Sequence, residues 1–450
     1  MFERNTLRYL DEALVILEQG FQGLPEFTPA AQPEPLRAVL REIAQRMQDN
    51  FPYPHPLYAG QMLKPPHPVA RLAYMLALYI NPNNHALDGG RASSAMEKEA
   101  VANIAHMFGY TTHLGHLCTS GTIANLEALW VARQARAQGL VLASEQAHYT
   151  HARMCEVLQL PFKSLAVDAA GCMDMNALED ALKRESAGTV VATLGTTALG
   201  AVDPLHEIMQ LRERYGFRVH VDAAYGGYFT LADNLDGRTH AAFEAMARAD
   251  SIVVDPHKHG LQPYGCGCVL LRNPSEGRFY KHESPYTYFT SAELHLGEIS
   301  LECSRPGAAA VALWATQQLL PMVPGGEFAR GLEASRRTAL ALHRHLANSA
   351  HYLAGPAPEL DIVVWTMMAL GREAASRRAQ VVFDGAAQRQ LHLALLRVPN
   401  QLAAAWWSRL ARDAETVTAL RSCLMKPEHE EWLPRIVDRL ETATREPLSA

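Results

Sequence analysis

The 450-residue sequence contains no apolar run that approaches the ~18 residues of a membrane-spanning helix, so no membrane span is expected. It also lacks any block of Lys or Arg. Its net charge of −6 is mild for the length, and both facts argue against a nucleic-acid partner. Cysteine is sparse: seven residues, an odd number, scattered at 118, 155, 172, 266, 268, 303 and 423. That pattern fits reduced thiols in a cytosol better than a disulfide framework, which points to the cytoplasm. Cys266-Gly267-Cys268 has no second Cys/His pair at zinc spacing, so it reads as the small-residue start of a strand and no metal is expected. Met1-Phe2-Glu3-Arg4 opens without the apolar core of a secretory signal. Internal repeats and low-complexity tracts are missing too.

What is present is enough apolar residue, 48% against 20% charged, to bury a sizeable core. Residues 1–58 carry two amphipathic helical patterns, near 5–20 and 33–50, and end in the Pro-rich Phe51-Pro52-Tyr53-Pro54-His55-Pro56. Residues 59–320 alternate helical stretches (68–80, 92–108, 122–138, 175–184, 204–215) with short apolar or β-branched runs (189–194, 217–222, 251–254, 267–271). This alternation predicts an α/β domain with a mostly parallel sheet flanked by helices. Residues 321–450 pass through Pro324-Gly325-Gly326 into a helical pattern over 327–348. Strands are expected at 359–370, 379–383 and 391–398, and helices at 400–412 and 430–444, as in a small α+β domain.

Four segments carry chemistry. In Ser251-Ile252-Val253-Val254-Asp255-Pro256-His257-Lys258-His259 a buried strand ends just before a lysine. The ends of buried strands are where open α/β sheets place ligand sites, and a desolvated lysine there can form a Schiff base. A surface lysine in a loop is the competing reading. Phe217-Arg218-Val219-His220-Val221-Asp222-Ala223-Ala224 is a second strand, ending in a carboxylate that needs a cationic or donor partner if buried. A protonated pyridine nitrogen is such a partner, and Ala224 would let a flat ring lie close. A strand-end cap is the plainer role. Cys118-Thr119-Ser120-Gly121-Thr122 opens a helical pattern with hydroxyls and free backbone N–H groups, which suits a phosphate but also a generic N-cap. Glu145-Gln146-Ala147-His148 and Ala192-Thr193-Leu194-Gly195-Thr196-Thr197 each follow an apolar run, and His148 could stack on a ring or be a core histidine. Together, in the order cradle, stacker, Asp222, Lys258, these segments match the needs of pyridoxal 5′-phosphate.

On these motifs, above all Val221-Asp222-Ala223-Ala224-Tyr225-Gly226-Gly227 and Asp255-Pro256-His257-Lys258, the chain resembles the group II pyridoxal-phosphate-dependent amino-acid decarboxylases of fold-type I, the aspartate aminotransferase-like architecture. The resemblance runs from about Phe51 to Arg421. It implies decarboxylation of an L-amino acid to an amine and CO₂, through a Schiff base on Lys258 and a quinonoid. It implies that Asp222 pairs with the pyridine nitrogen, Ala224 lines the ring, His148 stacks on it, Thr197 supports that layer, and His257 lies beside the lysine. Ser120, Gly121 and Thr122 would bind the phosphate, with Asp255 near it. Ser304 and Gly307 would reach the partner subunit's phosphate, so a homodimer with interfacial sites is implied. Tyr286, with Tyr288 in reserve, would return the proton to Cα. Arg421 would meet the substrate carboxylate. Lys64 and His67 lie where the family lines the side-chain pocket, which favours a polar or acidic substrate. Ser120 and Ile123 replace the usual Gly and Glu, and His259 stands where Trp, Tyr or Met is usual. A C–C lyase or an aminotransferase on the same site, and an inactive cofactor-binding scaffold, are the alternatives.

Overall fold

A computed structural model describes residues 2–25, 33–85, 87–136, 139–280 and 299–445. Helices α1 (Leu7–Gln19), α2 (Pro33–Arg46), α3 (Pro68–Leu78) and α4 (Arg91–Met107) lead into the main domain. Its seven strands are β1 (Leu114–Cys118), β2 (Leu140–Ser144), β3 (Phe162–Leu165), β4 (Ala187–Thr193), β5 (Arg218–Asp222), β6 (Ser251–Val254) and β7 (Gly267–Leu271). They lie in the order β1-β7-β6-β5-β4-β2-β3. Pairing is parallel from β3 through β6, while β7 runs antiparallel to both neighbours. Every residue of β6 and β7 is buried, which is why these strands read as unbroken apolar runs rather than alternating ones. Between the strands run α5 (Gly121–Ala135), α6 (Thr150–Val157), α7 (Met175–Arg184), α8 (Leu205–Tyr215) and α9 (Gly237–Glu244), with α5 packed on β5, β6 and β7.

The C-terminal part comprises α10 (Gly307–Leu319), α11 (Glu327–Ala347), β8 (Tyr352–Ala354), β9 (Ile362–Met367), α12 (Arg372–Gln388), β10 (Ala394–Pro399), α13 (Asn400–Trp406), β11 (Thr416–Cys423) and α14 (His429–Arg445). Its strands form an antiparallel sheet in the order β10-β11-β9-β8. One expectation fails here. Residues 379–383, read as a strand, lie inside α12. The apolar run Ala379-Gln380-Val381-Val382-Phe383 looked β-like, but Ala375, Ala379, Val382 and Ala386 are the buried positions, at helical spacing, while Val381 is 43% exposed. The connector after the N-terminal helices joins this sheet rather than the large one: Ala59 N–H donates to the His392 carbonyl (2.9 Å), and Leu57 and Ala59 share its core.

α1 buries only Leu10, and the described residues of α2 bury none. Leu36, Val39, Leu40 and Ile43 form one face of α2, each about half exposed or more. No helix among the described residues is long and apolar enough to cross a membrane.

Candidate active site

Parallel neighbours β5 and β6 put their C-terminal ends on one edge, with Asp222 in register with Val253. Asp222 ends β5, and Lys258 follows β6 by four residues. Both line one cavity of about 280 Å³, with Ser120, Gly121, Thr122, His148, Thr197, Ala224 and His257 on its other walls. Ligand sites typically measure roughly 300–1,000 Å³, so this one suits a small ligand. Gly195, at φ +103°, makes the turn that carries Thr197 to the wall; a side chain there would press on the Gly226 backbone, 2.8 Å from where its Cβ would sit.

Asp222 is 5% exposed and holds its partners on both oxygens. Oδ2 accepts from His151 Nε2 at 2.8 Å and from Asn125 Nδ2 at 3.3 Å, and Oδ1 accepts from the Ala224 N–H at 3.1 Å. Burial alone would raise its proton affinity. The His151 contact, the charge of Lys258 and the backbone donor reverse that, holding the carboxyl well below its usual range. His151, on the first turn of α6, and Asn125, one turn into α5, were not among the sequence candidates.

Lys258 Nζ lies 3.0 Å from Asp255 Oδ2, with the lysine side chain 21% exposed into the cavity. Asp255 also sits 3.6 Å from His257 Nε2, and its buried Oδ1 has no hydrogen-bond partner among the described residues. The carboxylate lies against the start of α5: a Cβ on Gly121 would meet Asp255 Oδ2 at 2.7 Å, so glycine is needed there. His257 Nδ1 donates to the Cys266 carbonyl at 2.7 Å, and its ring lies 4.7 Å from that of Tyr264. Burial lowers the proton affinity of His257, as it does that of His148, whose Nδ1 is 2.9 Å from Thr150 Oγ1.

Other candidates fall elsewhere. Arg421 is buried on β11 with its guanidinium on the loop that carries Thr197: it donates to the carbonyls of Thr197 (2.7 Å) and Ala198 (3.1 Å) and to Gln61 Oε1 (3.1 Å). It does not line the cavity. Lys64 and His67 line a separate cavity of about 860 Å³ beside α11 and the Met425–Glu428 segment. Lys64 Nζ donates to the Met425 carbonyl at 3.1 Å, and burial lowers its pKa to about 8; His67 Nδ1 accepts from the Val69 N–H at the start of α3. Neither residue lines the Lys258 cavity, although the connector that carries them stays beside the lysine segment: the His67 N–H donates to the Leu261 carbonyl at 2.9 Å, and the Tyr264 hydroxyl donates to the Met62 carbonyl at 3.1 Å. Ser304 Oγ accepts from Asn83 Nδ2, and Gly307 packs against Asn84 and Ser93, both outside their own chain's cavity. Tyr286 and Tyr288 lie outside the described residues.

The donor set fits pyridoxal phosphate. A lysine opens on the cavity, a carboxylate held ionised stands across from it, Ala224 leaves room for a flat ring, and α5 begins at Ser120-Gly121-Thr122 with backbone N–H groups that have no helical partner. The comparisons with known proteins agree. Residues 22–347 match the family model described as the pyridoxal-dependent decarboxylase conserved domain. An L-tyrosine decarboxylase of Enterococcus faecium is 29% identical over 417 residues, covering 70% of this chain and 68% of that protein. A probable L-tyrosine/L-aspartate decarboxylase of Methanothermobacter thermautotrophicus is 28% identical over 321 residues, covering 69% and 83%. The crystal structure of Oryza sativa TDC with PLP and tryptamine shares the fold, with a TM-score of 0.78 at 17% identity over 100% of this chain and 99% of that one. The chain belongs to the pyridoxal-dependent decarboxylase family, and so to the carboxy-lyases that use pyridoxal phosphate. It spans 68% and 62% of the length of two bacterial tyrosine decarboxylases it matches.

Two buried histidines, His220 and His429, predict an acid-sensitive fold. Burial pushes both His220 and His429 down to about 3. An unfolded chain protonates its histidines near pH ~6.5. Between those values the unfolded state binds more protons, so the stability contributed is fully present above about pH 6.5 and falls as pH drops toward 3. Each histidine costs on the order of 1.4 kcal/mol per unit of depression once protonated in the unfolded state. The denaturant midpoint should therefore be clearly lower at pH ~5 than at pH ~7, and the His220→Gln, His429→Gln double variant should flatten that slope. An unchanged slope in the folded double variant would locate the acid sensitivity elsewhere.

Proposed function

We propose that this chain releases the α-carboxylate of an L-amino acid as CO₂ and leaves the amine. The observation that carries this reading is the meeting of Lys258 and an Asp222 held ionised on one small cavity that also contains the start of α5. When bound, pyridoxal phosphate supplies a sink for the electron pair freed from the Cα–carboxylate bond. Lys258 would hold it covalently. Asp222 would keep a proton on the pyridine nitrogen, Ser120, Gly121 and Thr122 would bind the phosphate, and His148 and Ala224 would sandwich the ring. Thr197 would support the His148 layer, steadied through its carbonyl by Arg421, and His257 would stand beside the lysine. Tyr286 is proposed to return the proton to Cα.

Relatives are named for tyrosine and aspartate, so the test is a panel including tyrosine, tryptophan, aspartate, glutamate and diaminobutyrate, with CO₂, amine, aldehyde and keto acid measured. We expect CO₂ and amine in equal amounts from at least one. Keto acid without CO₂ would replace the reading with transamination, and aldehyde without CO₂ with C–C cleavage. In Tyr286→Phe, amine release should slow by ~10²–10⁴-fold, the usual weight of a proton-transfer group, and any CO₂ released in excess of amine should be matched by a carbonyl product whose amino group stays on the cofactor. Unaltered amine release would assign the proton to another group.

The uncovered apolar face of α2 supports a homodimer, since a face of this kind is normally covered by a partner. A monomer in sedimentation at micromolar concentration would overturn that assembly. Ser304 and Gly307 would then have no partner phosphate to reach.

A further inference from the structure

Behind Asp222 lies a line of buried polar groups that the proposed chemistry leaves unexplained. Asn125 on α5 is 3% exposed. Its Nδ2 donates to Asp222 Oδ2 at 3.3 Å, and its Oδ1 lies 2.7 Å from His220 Nε2. His220 is 1% exposed, and its Nδ1 lies 2.8 Å from Ser251 Oγ. The register sets this up. His220 and Asp222 are two apart on β5 and share a face, and His220 is the cross-strand partner of Ser251 on β6.

The chemistry of the partners settles the direction of every bond. An ionised carboxylate only accepts, so Asn125 must turn its N–H₂ toward Asp222 and its carbonyl toward His220. That carbonyl only accepts, so His220 Nε2 must carry the hydrogen. Burial keeps the ring neutral, so Nδ1 is bare and takes the Ser251 hydroxyl hydrogen. All the bonds donate one way: Ser251 to His220, His220 to Asn125, Asn125 to Asp222. His151 adds the second donor on the same oxygen at 2.8 Å. Oδ1, with one backbone donor, is left as the oxygen able to take a further proton donor from the cavity.

We propose that Ser251, His220 and Asn125 are positioning residues, a one-way hydrogen-bond chain that turns Asp222 so that Oδ1 faces the cofactor's pyridine nitrogen and keeps that nitrogen protonated. The inference rests on the cofactor's place in this cavity. Because Asn125 stands one turn beyond Ser120-Gly121-Thr122 on α5, the chain also ties the phosphate end of the site to the ring-nitrogen end. The other titratable or charged groups facing it are His151 on α6, whose ring is 6.1 Å from that of His220, with Arg218 on β5, His148 before α6, and Asp255 and Lys258 after β6.

The test reads the cofactor rather than turnover. Apoprotein is reconstituted with pyridoxal phosphate labelled with ¹⁵N in the ring, and the nitrogen shift is followed with pH alongside the cofactor Kd. His220→Phe removes donor and acceptor together, so Asn125 loses its anchor and its fixed orientation. We expect the ring nitrogen to lose its proton about one pH unit lower and Kd to rise about tenfold, the scale of one hydrogen bond to a charged group. His220→Gln keeps one donor and one acceptor and should restore most of both. Ser251→Ala, which trims only the far end, should shift both in the same direction by less, and it serves if His220→Phe does not fold. Wild-type shift and Kd in folded His220→Phe, or in Ser251→Ala where that is the variant in hand, would overturn the proposal. So would a Gln variant no better than Phe. Failure of the wild type itself to bind the cofactor would instead overturn the site assignment.

Discussion

Lys258→Ala should leave a folded protein with no measurable turnover on any substrate that the unaltered chain decarboxylates. The loss should exceed the ~10²–10⁴-fold typical of a single proton-transfer group, because the proposed covalent attachment point of the cofactor would disappear with the side chain. Folding should survive: Lys258 lies at a cavity wall, and among the described residues its charged partner within contact is Asp255 at 3.0 Å. Removing it leaves the Asp255 charge buried beside only His257, so a modest drop in melting temperature is expected. Cofactor should still associate through the start of α5 and the ring contacts. Borohydride treatment of the unaltered protein should fix the cofactor to Lys258, read by peptide mapping, and Lys258→Ala should take up none. Label on another lysine, or turnover in the Ala variant, would remove Lys258 from the centre of the site.

Asp222→Ala is the second large effect, and we expect turnover to fall by several orders of magnitude with the fold kept. The reason is electrostatic. A carboxylate held ionised in a buried setting by His151, the nearby Lys258 and a backbone N–H interacts strongly with a cation placed against it. Without it, the pyridine nitrogen of the cofactor, placed as proposed, would have no anion to hold its proton. The histidine network loses its acceptor at the same time: His151 Nε2 and Asn125 Nδ2 are left without their shared oxygen, so a stability loss accompanies the kinetic one. The comparison that decides is Asp222→Ala against Asp222→Glu, both checked for bound cofactor by absorbance. The Glu variant keeps the charge and should recover part of the rate. Near-normal turnover in a cofactor-loaded Ala variant would reduce Asp222 to a strand-end cap.

That Lys258, Asp222 and Ser120-Gly121-Thr122 lie around one cavity at the sheet's edge was legible along the chain because each sits at the junction of an apolar run and a polar turn. That local pattern states where a strand ends and therefore which edge of a parallel sheet its next residues occupy. The alternation of helical and strand periods likewise announced the α/β architecture. Packing decided the rest. Nothing near residue 151 or 125 says that these side chains converge on Asp222; α5 and α6 bring them there over the sheet. Lys64 and His67 line a cavity other than that of Lys258, because the connector that carries them is held by His392, Met425 and Leu261 together. Arg421 was correctly read as a strand residue, but the antiparallel sheet aims it at the Thr197 and Ala198 carbonyls. Residues 379–383 have strand-like composition and fold as helix, because the face they present to β11 and α14 repeats at helical spacing. A sequence carries the period of each segment and the chemistry of each residue. Which residues distant in the chain share one volume of a few hundred cubic ångströms is set by how the layers stack, and no single segment contains that information.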